Sequence, residues 1–274
     1  MMSVSVLVLT GYGLNCDHET AHAFSLAGAR AERVHIKSLV TRERVLSGFD
    51  ILAFVGGFSW GDDHGAGVLA AVKMGSALGE DLARFVEGGG LVIGICNGFQ
   101  ILVNLGLLPG FDGDYRSRRV ALINNDSGRF RDDWVHVSAN PASPCAWTRG
   151  LSTLELPVRH GEGKFTAGEE DIKRLTAQGQ DALYYSFPDG SRAGGKFPEN
   201  PNGSVLDIAG VCDPTGRVFG LMPHPEAYHH FTNHPNWTRA REAEKRLGLP
   251  PSEGLAPGVQ LLKNGVDRAR ENRG

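Results

Sequence analysis

Residues 88–110 read GGGLVIGICNGFQILVNLGLLPG, and Gly94-Ile95-Cys96-Asn97-Gly98 directly follows the apolar run inside this stretch. A cysteine with a glycine two positions away on each side is G-x-C-x-G, the thiol form of a nucleophile elbow. Such a turn strains the nucleophile's backbone and brings its neighbours close to adjoining strands, where a residue without a Cβ is required. The turn opens the helical pattern GFQILVNLG (98–106). Helix N-terminal amides favour an anion and so draw a thiol towards the reactive thiolate. The amide of Asn97, next after the nucleophile, is placed to donate to a developing oxyanion. A second donor is expected from a glycine-rich loop, and GGFS offers Gly57. Taken alone, the same residues also suit a buried structural cysteine on a glycine-rich turn.

A thiol nucleophile needs a base and a group to orient that base. MPHPEA (222–227) supplies His224 and Glu226. The prolines on either side of His224 fix their own φ and restrain the residue before each of them. In an extended segment alternate side chains share a face, so imidazole and carboxylate can meet. His224 would then take the proton of Cys96, while Glu226 holds the tautomer and stabilises the imidazolium. HPE by itself reads equally well as a plain turn; the elbow and the GGFS loop give it weight.

Other residues invite competing readings. Cys16 lies near His18 and His22 at metal-like spacing, and His224, His229, His230 and His234 form a second dense group. Zinc normally takes four ligands, and no further Cys/His pair stands at finger-like spacing, so no metal is expected. Cys145 and Cys212 read as structural. Trp134, Tyr184, Tyr185 and Trp237 read as core or interface aromatics, and RSRR (116–119) as a solvated basic run.

These residues must be positioned by regular elements. VSVLVL (4–9), AERVHI (31–36), ILAFV (51–55) and LVIGI (91–95) are strand-length runs, separated by the helical patterns DHETAHAFSLAG (17–28, with Asp17 as cap) and EDLARFVEGG (80–89). Strands apolar throughout and alternating with helices predict a parallel sheet covered on both faces, with ligands gathering beyond the carboxyl ends of its strands. Later candidates are VALIN (120–124), WVHVS (134–138), LELPVRH (154–160) and ALYYSF (182–187), then a hairpin over 206–226 turning at DPTG. From about Asn236 the chain becomes charged and is broken by PPSEGLAP, which reads as two surface helices around a loop or as a partly disordered tail.

The chain has 274 residues, 41% of them hydrophobic and 22% charged, with a formal net charge of −3. This balance gives no electrostatic reason for nucleic acid or an anionic membrane as partner. The first apolar run is too short and broken to span a bilayer. Four cysteines are too few for a disulfide scaffold, which points to a reducing cytoplasm.

GICNGFQIL together with MPHPE resembles the class I (triad) glutamine amidotransferases. GLNCD (13–17), FVGGFSWGD (54–62), CNGFQILVNLGLLPG (96–110), NDSGRF (125–130), RHGEGKF (159–165) and the block from 200 to 226 narrow the likeness. They are similar to the family of glutaminase subunits of phosphoribosylformylglycinamidine synthase. The resemblance implies an α/β three-layer sandwich with a mostly parallel, flavodoxin-like sheet. Residues 1–235 would form the amidotransferase domain, and 236–274 a C-terminal extension of unknown role. It implies hydrolysis of glutamine to glutamate and ammonia through a thioester on Cys96, with His224 and Glu226 completing the triad. It places Gly57, Phe58, Asn97, Gln100 and His160 around the glutamine or its oxyanion. The implied partners are a larger synthetase subunit and a small accessory subunit. ATP and magnesium would act on the synthetase, and no cofactor is expected in this chain. GGFSWGDDHGAG departs from the common bacterial form at Trp60 and at Asp63-His64. Two rival readings are another thiol hydrolase on the same fold, which would want a histidine where Asn97 stands, and a non-catalytic regulatory module.

Overall fold

The structure is a computed structural model and describes residues 3–250 and 255–273. Eleven strands are present: β1 (Ser5–Thr10), β2 (Arg30–His35), β3 (Ile51–Phe54), β4 (Leu91–Ile95), β5 (Val120–Ile123), β6 (Arg131–Ala139), β7 (Thr153–His160), β8 (Lys164–Ala167), β9 (Leu183–Ser186), β10 (Ile208–Cys212) and β11 (Val218–Leu221). Nine of them form one mixed sheet in the order β2-β1-β3-β4-β11-β10-β9-β6-β7, and β5 and β8 pair separately. From β2 to β11 every pairing is parallel; from β11 to β7 every pairing is antiparallel. Strands β3 and β4 are buried along their whole length, as expected of a sheet covered on both faces.

Helices α1 (Asp17–Leu26), α2 (Ile36–Val40), α3 (Val68–Glu87), α4 (Asn97–Leu105), α5 (Glu169–Ala177), α6 (Trp237–Arg246) and α7 (Pro257–Glu271) complete the chain. α1 packs with α7 over one face of the sheet, and α3 with α4 over the other. That division follows from right-handed crossovers that leave β1 in one direction and β3 in the other. No helix among the described residues is long and apolar enough to cross a membrane.

Four elements depart from the sequence reading. α3 begins at Val68, well before the helix expected over 80–89. Glycines 75 and 79 weaken its local propensity, and burial of Ala70, Met74, Leu78 and Leu82 at four-residue spacing overrides them. β8 and α5 were not foreseen, being a four-residue strand and a mostly exposed helix that buries only Leu175. α7 is no surface helix: Val259, Leu261, Leu262 and Val266 are fully buried in the main core, so on packing grounds it belongs with the body formed by residues 1–235. Residues 251–254, within the expected loop, lie outside the described residues.

The sheet order positions the chemistry. β3, β4 and β11 are consecutive parallel neighbours. Their carboxyl ends lead to Gly56-Gly57, to Cys96 and to Met222-Pro223-His224, all at one edge. β1, on the far side of β3, leads at that same edge to the Gly11–Cys16 turn.

Candidate active site

Cys96 links β4 to α4 with φ +51° and ψ −109°, a left-handed φ that side-chain-bearing residues rarely adopt. Its amide is anchored to the Leu221 carbonyl at 2.8 Å, which ties the elbow to the end of β11. The flanking glycines are required by contact. A Cβ on Gly98 would lie 1.9 Å from the Phe54 carbonyl oxygen, and one on Gly94 would lie 2.8 Å from the Gly98 carbonyl. The thiol faces the Arg159 carbonyl at 3.5 Å.

His224 and Glu226 meet at 2.6 Å through Nδ1 and Oε1, and both side chains are shut off from solvent. The way they meet corrects the expectation of an extended segment. Pro225–Ala227 is a 3-10 turn with proline at its start, where a φ near −65° already suits a helical turn. The turn, not strand alternation, carries the carboxylate back to the ring. His224 is also held by its amide on the Pro157 carbonyl at 2.8 Å. Burial disfavours charge on the imidazole. The Glu226 carboxylate outweighs it, with help from the Cys96 thiol, and lifts His224 well above the ordinary histidine range. Its second ring nitrogen, Nε2, is buried, and the ring interacts with the thiols of Cys16 and Cys96.

Cys96 and His224 line one cavity of about 250 Å³ together with Asn15, Cys16, Glu19, Gly57, Phe58, Phe130 and Arg159. A larger groove of about 500 Å³ beside Tyr12 and Trp60 is lined by no cysteine or histidine. Gly57 has φ +140°, and a Cβ there would strike the Gly13 carbonyl at 2.5 Å. Among the described residues no acceptor takes the Gly57 amide, so it is available to the cavity. Phe58 differs. Its amide donates to the Gly13 carbonyl and its carbonyl accepts from Gly61, both at 2.9 Å, leaving the exposed ring to wall the cavity against Phe130.

Asn97 and Gln100 belong to a buried brace behind the elbow. The Asn97 side chain accepts from the Ser59 amide at 3.3 Å and donates to Gln100 Oε1 at 2.9 Å and to Asp62 Oδ1 at 3.3 Å. Gln100 Nε2 donates to the Glu162 carbonyl at 2.6 Å. Both ends of the Gln100 amide are thus engaged, and the residue does not line the cavity. His160 is buried beside its partner Asn125, with Nδ1 3.1 Å from Oδ1, and it too stands off the cavity wall. Burial, together with the charge on His224, drives its pKa down to about 3, so it stays neutral.

Sequence reasoning missed four contributors. Glu19, from α1, and Arg159, at the end of β7, also line the cavity, and no local spacing links them; the Arg159 carbonyl faces the Cys96 thiol while its guanidinium lies 3.8 Å from the Asp132 carboxylate. Asp62 and Glu162 face each other across the brace. Burial first, then the Glu162 charge, pushes the Asp62 carboxyl up to about 6. The polar segments around 125 and 202 hold the turn after His160. Asn125 donates to the His160 carbonyl at 2.8 Å, and Asn202 to the Gly163 carbonyl at 2.8 Å. The metal-like spacing of Cys16, His18 and His22 is not realised. His18 turns to Arg33, His22 stacks edge-on with His229, and Cys16 turns inward towards His224. Cys145 and Cys212 are buried and free.

Comparison with known proteins places this geometry. The family of CobB/CobQ-like glutamine amidotransferase domains matches residues 3–266. The chain is similar to the phosphoribosylformylglycinamidine synthase subunit PurQ of Dehalococcoides mccartyi, at 43% identity over 274 residues covering 99% of this chain and 100% of that one. It is 42% identical to the PurQ subunit of Methanococcus maripaludis over 262 residues, 96% of each chain. Among solved structures, PurLQS from Thermotoga maritima aligns with a TM-score of 0.68 and 26% identity, over 97% of this chain and 99% of that one. A glutamine-amidotransferase elbow at this sheet edge, and identity of this order along nearly the whole chain, agree: the protein belongs to the PurQ family, the glutamine amidotransferase subunits of phosphoribosylformylglycinamidine synthase.

Proposed function

We propose that Cys96, His224 and Glu226 hydrolyse the side-chain amide of glutamine and that the ammonia passes to a larger synthetase subunit. The observation that carries this reading is the convergence of thiol, imidazole and an uncommitted Gly57 amide on one small cavity. His224 Nε2 takes the thiol proton, and the thiolate attacks the amide carbon. The amides of Gly57 and Asn97 receive the oxyanion. The imidazolium, steadied by Glu226, gives its proton to the departing nitrogen, so that ammonia leaves and a γ-glutamyl thioester remains. Water, deprotonated by the same imidazole, then releases glutamate and restores the thiol. Arg159 and Glu19 suit the carboxylate and ammonium of a free amino acid.

Membership of the PurQ family and the likeness to PurLQS support a synthetase as partner, with a small accessory subunit as third member. ATP and magnesium belong to the synthetase in this reading, and the complex works in the cytoplasm. Mixing the chain with its synthetase, formylglycinamide ribonucleotide, ATP and magnesium tests it. Cys96→Ala should abolish amidine formation from glutamine and leave formation from ammonium chloride intact. Persistence of the glutamine-driven reaction in that variant would refute the assignment.

A further inference from the structure

Cys16 has no part in the reaction described above, yet its side chain is buried at the cavity that Cys96 and His224 line. It sits on the turn before α1, where its amide donates to the Gly56 carbonyl at 3.3 Å and its carbonyl accepts from the Thr20 hydroxyl at 2.6 Å. The Cys16 sulfur, a His224 ring nitrogen and a Glu226 carboxylate oxygen all lie within 4.8 Å of one another. Gly56 leaves the space in which thiol and ring meet: a Cβ there would lie 2.8 Å from His224 Cε1 and 3.1 Å from Cys16 Sγ. The thiol's own proton has an acceptor, Asn15 Oδ1 at 3.5 Å, so the sulfur lone pairs are left for another donor.

We infer that Cys16 is a positioning residue of the glutaminase site, whose sulfur accepts a hydrogen bond from His224 in its imidazolium form. The inference rests on the triad reading above and adds a member to it. When Cys96 gives up its proton, the ring carries two N–H groups. Glu226 takes the one on Nδ1. Nε2 is buried out of reach of solvent, so the other needs an acceptor from the protein. Once the Cys96 sulfur is bonded to the amide carbon it no longer serves as a strong acceptor, which leaves Cys16. Its sulfur keeps the ring from turning until the departing nitrogen collects the proton. A neutral sulfur suits this task, because it steadies the charged ring without competing for the proton as a carboxylate would. Burial raises the Cys16 thiol, which keeps it un-ionised and leaves Cys96 as the nucleophile. Against burial, the Glu226 charge first and then both thiols favour the charged ring. The titratable groups facing that ring are Glu226 from its own turn, Cys96 from the elbow, Cys16 from the turn before α1 and His160 from the end of β7, the last held neutral. Glu19 bears on Cys16 from α1.

The test follows His224 by NMR in the full, histidine-labelled chain. In the unaltered chain its ring protons should show a nuclear Overhauser contact with the Cys16 β-protons; absence of that contact overturns the inference without any substitution. Cys16→Ala should move the His224 titration down by about one pH unit, the size expected when a hydrogen bond to a charged group is lost. Cys16→Ser, which keeps an acceptor in place, should restore most of it. In the complex with the synthetase, kcat for glutamine hydrolysis should fall about tenfold in Cys16→Ala and recover in Cys16→Ser. KM for glutamine should change little, as for an interaction made in the transition state. A His224 titration or a kcat that Cys16→Ala leaves unmoved, or a serine variant that matches the alanine one, overturns the inference. The NMR arm uses no glutamine, so its failure strikes Cys16 alone, whereas failure of the triad reading would show in the Cys96→Ala reaction with glutamine.

Discussion

Glu226 is fully buried and, among the described residues, its side chain hydrogen-bonds His224 alone, so its charge has one task. Replacing it with glutamine leaves the ring its neighbour and removes the charge, after which burial alone should govern the imidazole. The sign follows. With Glu226 present the folded-state pKa is raised, so the charged ring adds stability that is complete below the unfolded value of 6.5 and is lost as pH rises through the higher folded value. Glu226→Gln should therefore lose stability below that range, and the His224 pKa followed by NMR should fall relative to the parent's. Turnover should drop by about 10²–10⁴, less than for Cys96→Ala, because orientation contributes less than the nucleophile. Equal losses would give the carboxylate another role. Arg159→Met should raise KM for glutamine at least about tenfold while kcat changes little, since a charge that holds the amino-acid end acts on ground state and transition state alike. An unchanged KM would remove Arg159 from binding. The triad was legible in the sequence because G-x-C-x-G and HPE are local patterns. Arg159, Glu19 and Asp62 were not, because distant segments bring them together. Gln100 and Phe58 show the opposite: resemblance pointed to the right neighbourhood, but hydrogen bonding commits the Gln100 amide and the Phe58 backbone to structure.

At the scale of elements, α7 buttresses the turn that carries the base. Gly258, near its start, packs so closely that a Cβ would lie 2.0 Å from the Pro225 carbonyl oxygen. Gly258→Ala must push the helix or the turn away. It should cost about 1–3 kcal/mol in urea unfolding, as overpacking does, and lower kcat through displacement of His224 and Glu226. Normal kcat in a destabilised variant would separate α7 from the site. The parallel half of the sheet was readable from its unbroken apolar runs. α7 was readable as a helix but not as a buried one, because a proline- and charge-rich approach disguises an apolar stripe completed only by the core it meets. α5 and β8 escaped for the converse reason, having little buried surface to leave a pattern.

For the molecule as a whole, the brace behind the elbow stores a pH dependence. Asp62 is pushed up to about 6 by burial and by Glu162, from an ordinary value of 3.8. Its contribution to stability is therefore full below 3.8 and disappears as pH rises through 6, beyond which the folded state carries a disfavoured charge. Asp62→Asn removes that charge, and asparagine tolerates the left-handed φ of +56° found there. Its melting temperature should exceed the parent's at pH 7–8 and converge with it near pH 4. A gap that persists at pH 4 would place the effect elsewhere. The most direct test of the central claim is covalent. The chain is treated with 6-diazo-5-oxonorleucine, a glutamine-mimicking electrophile, with and without excess glutamine, and the modified peptide is mapped. Single labelling at Cys96 that glutamine suppresses is the predicted result; labelling at Cys16 or elsewhere, or labelling indifferent to glutamine, would contradict the account.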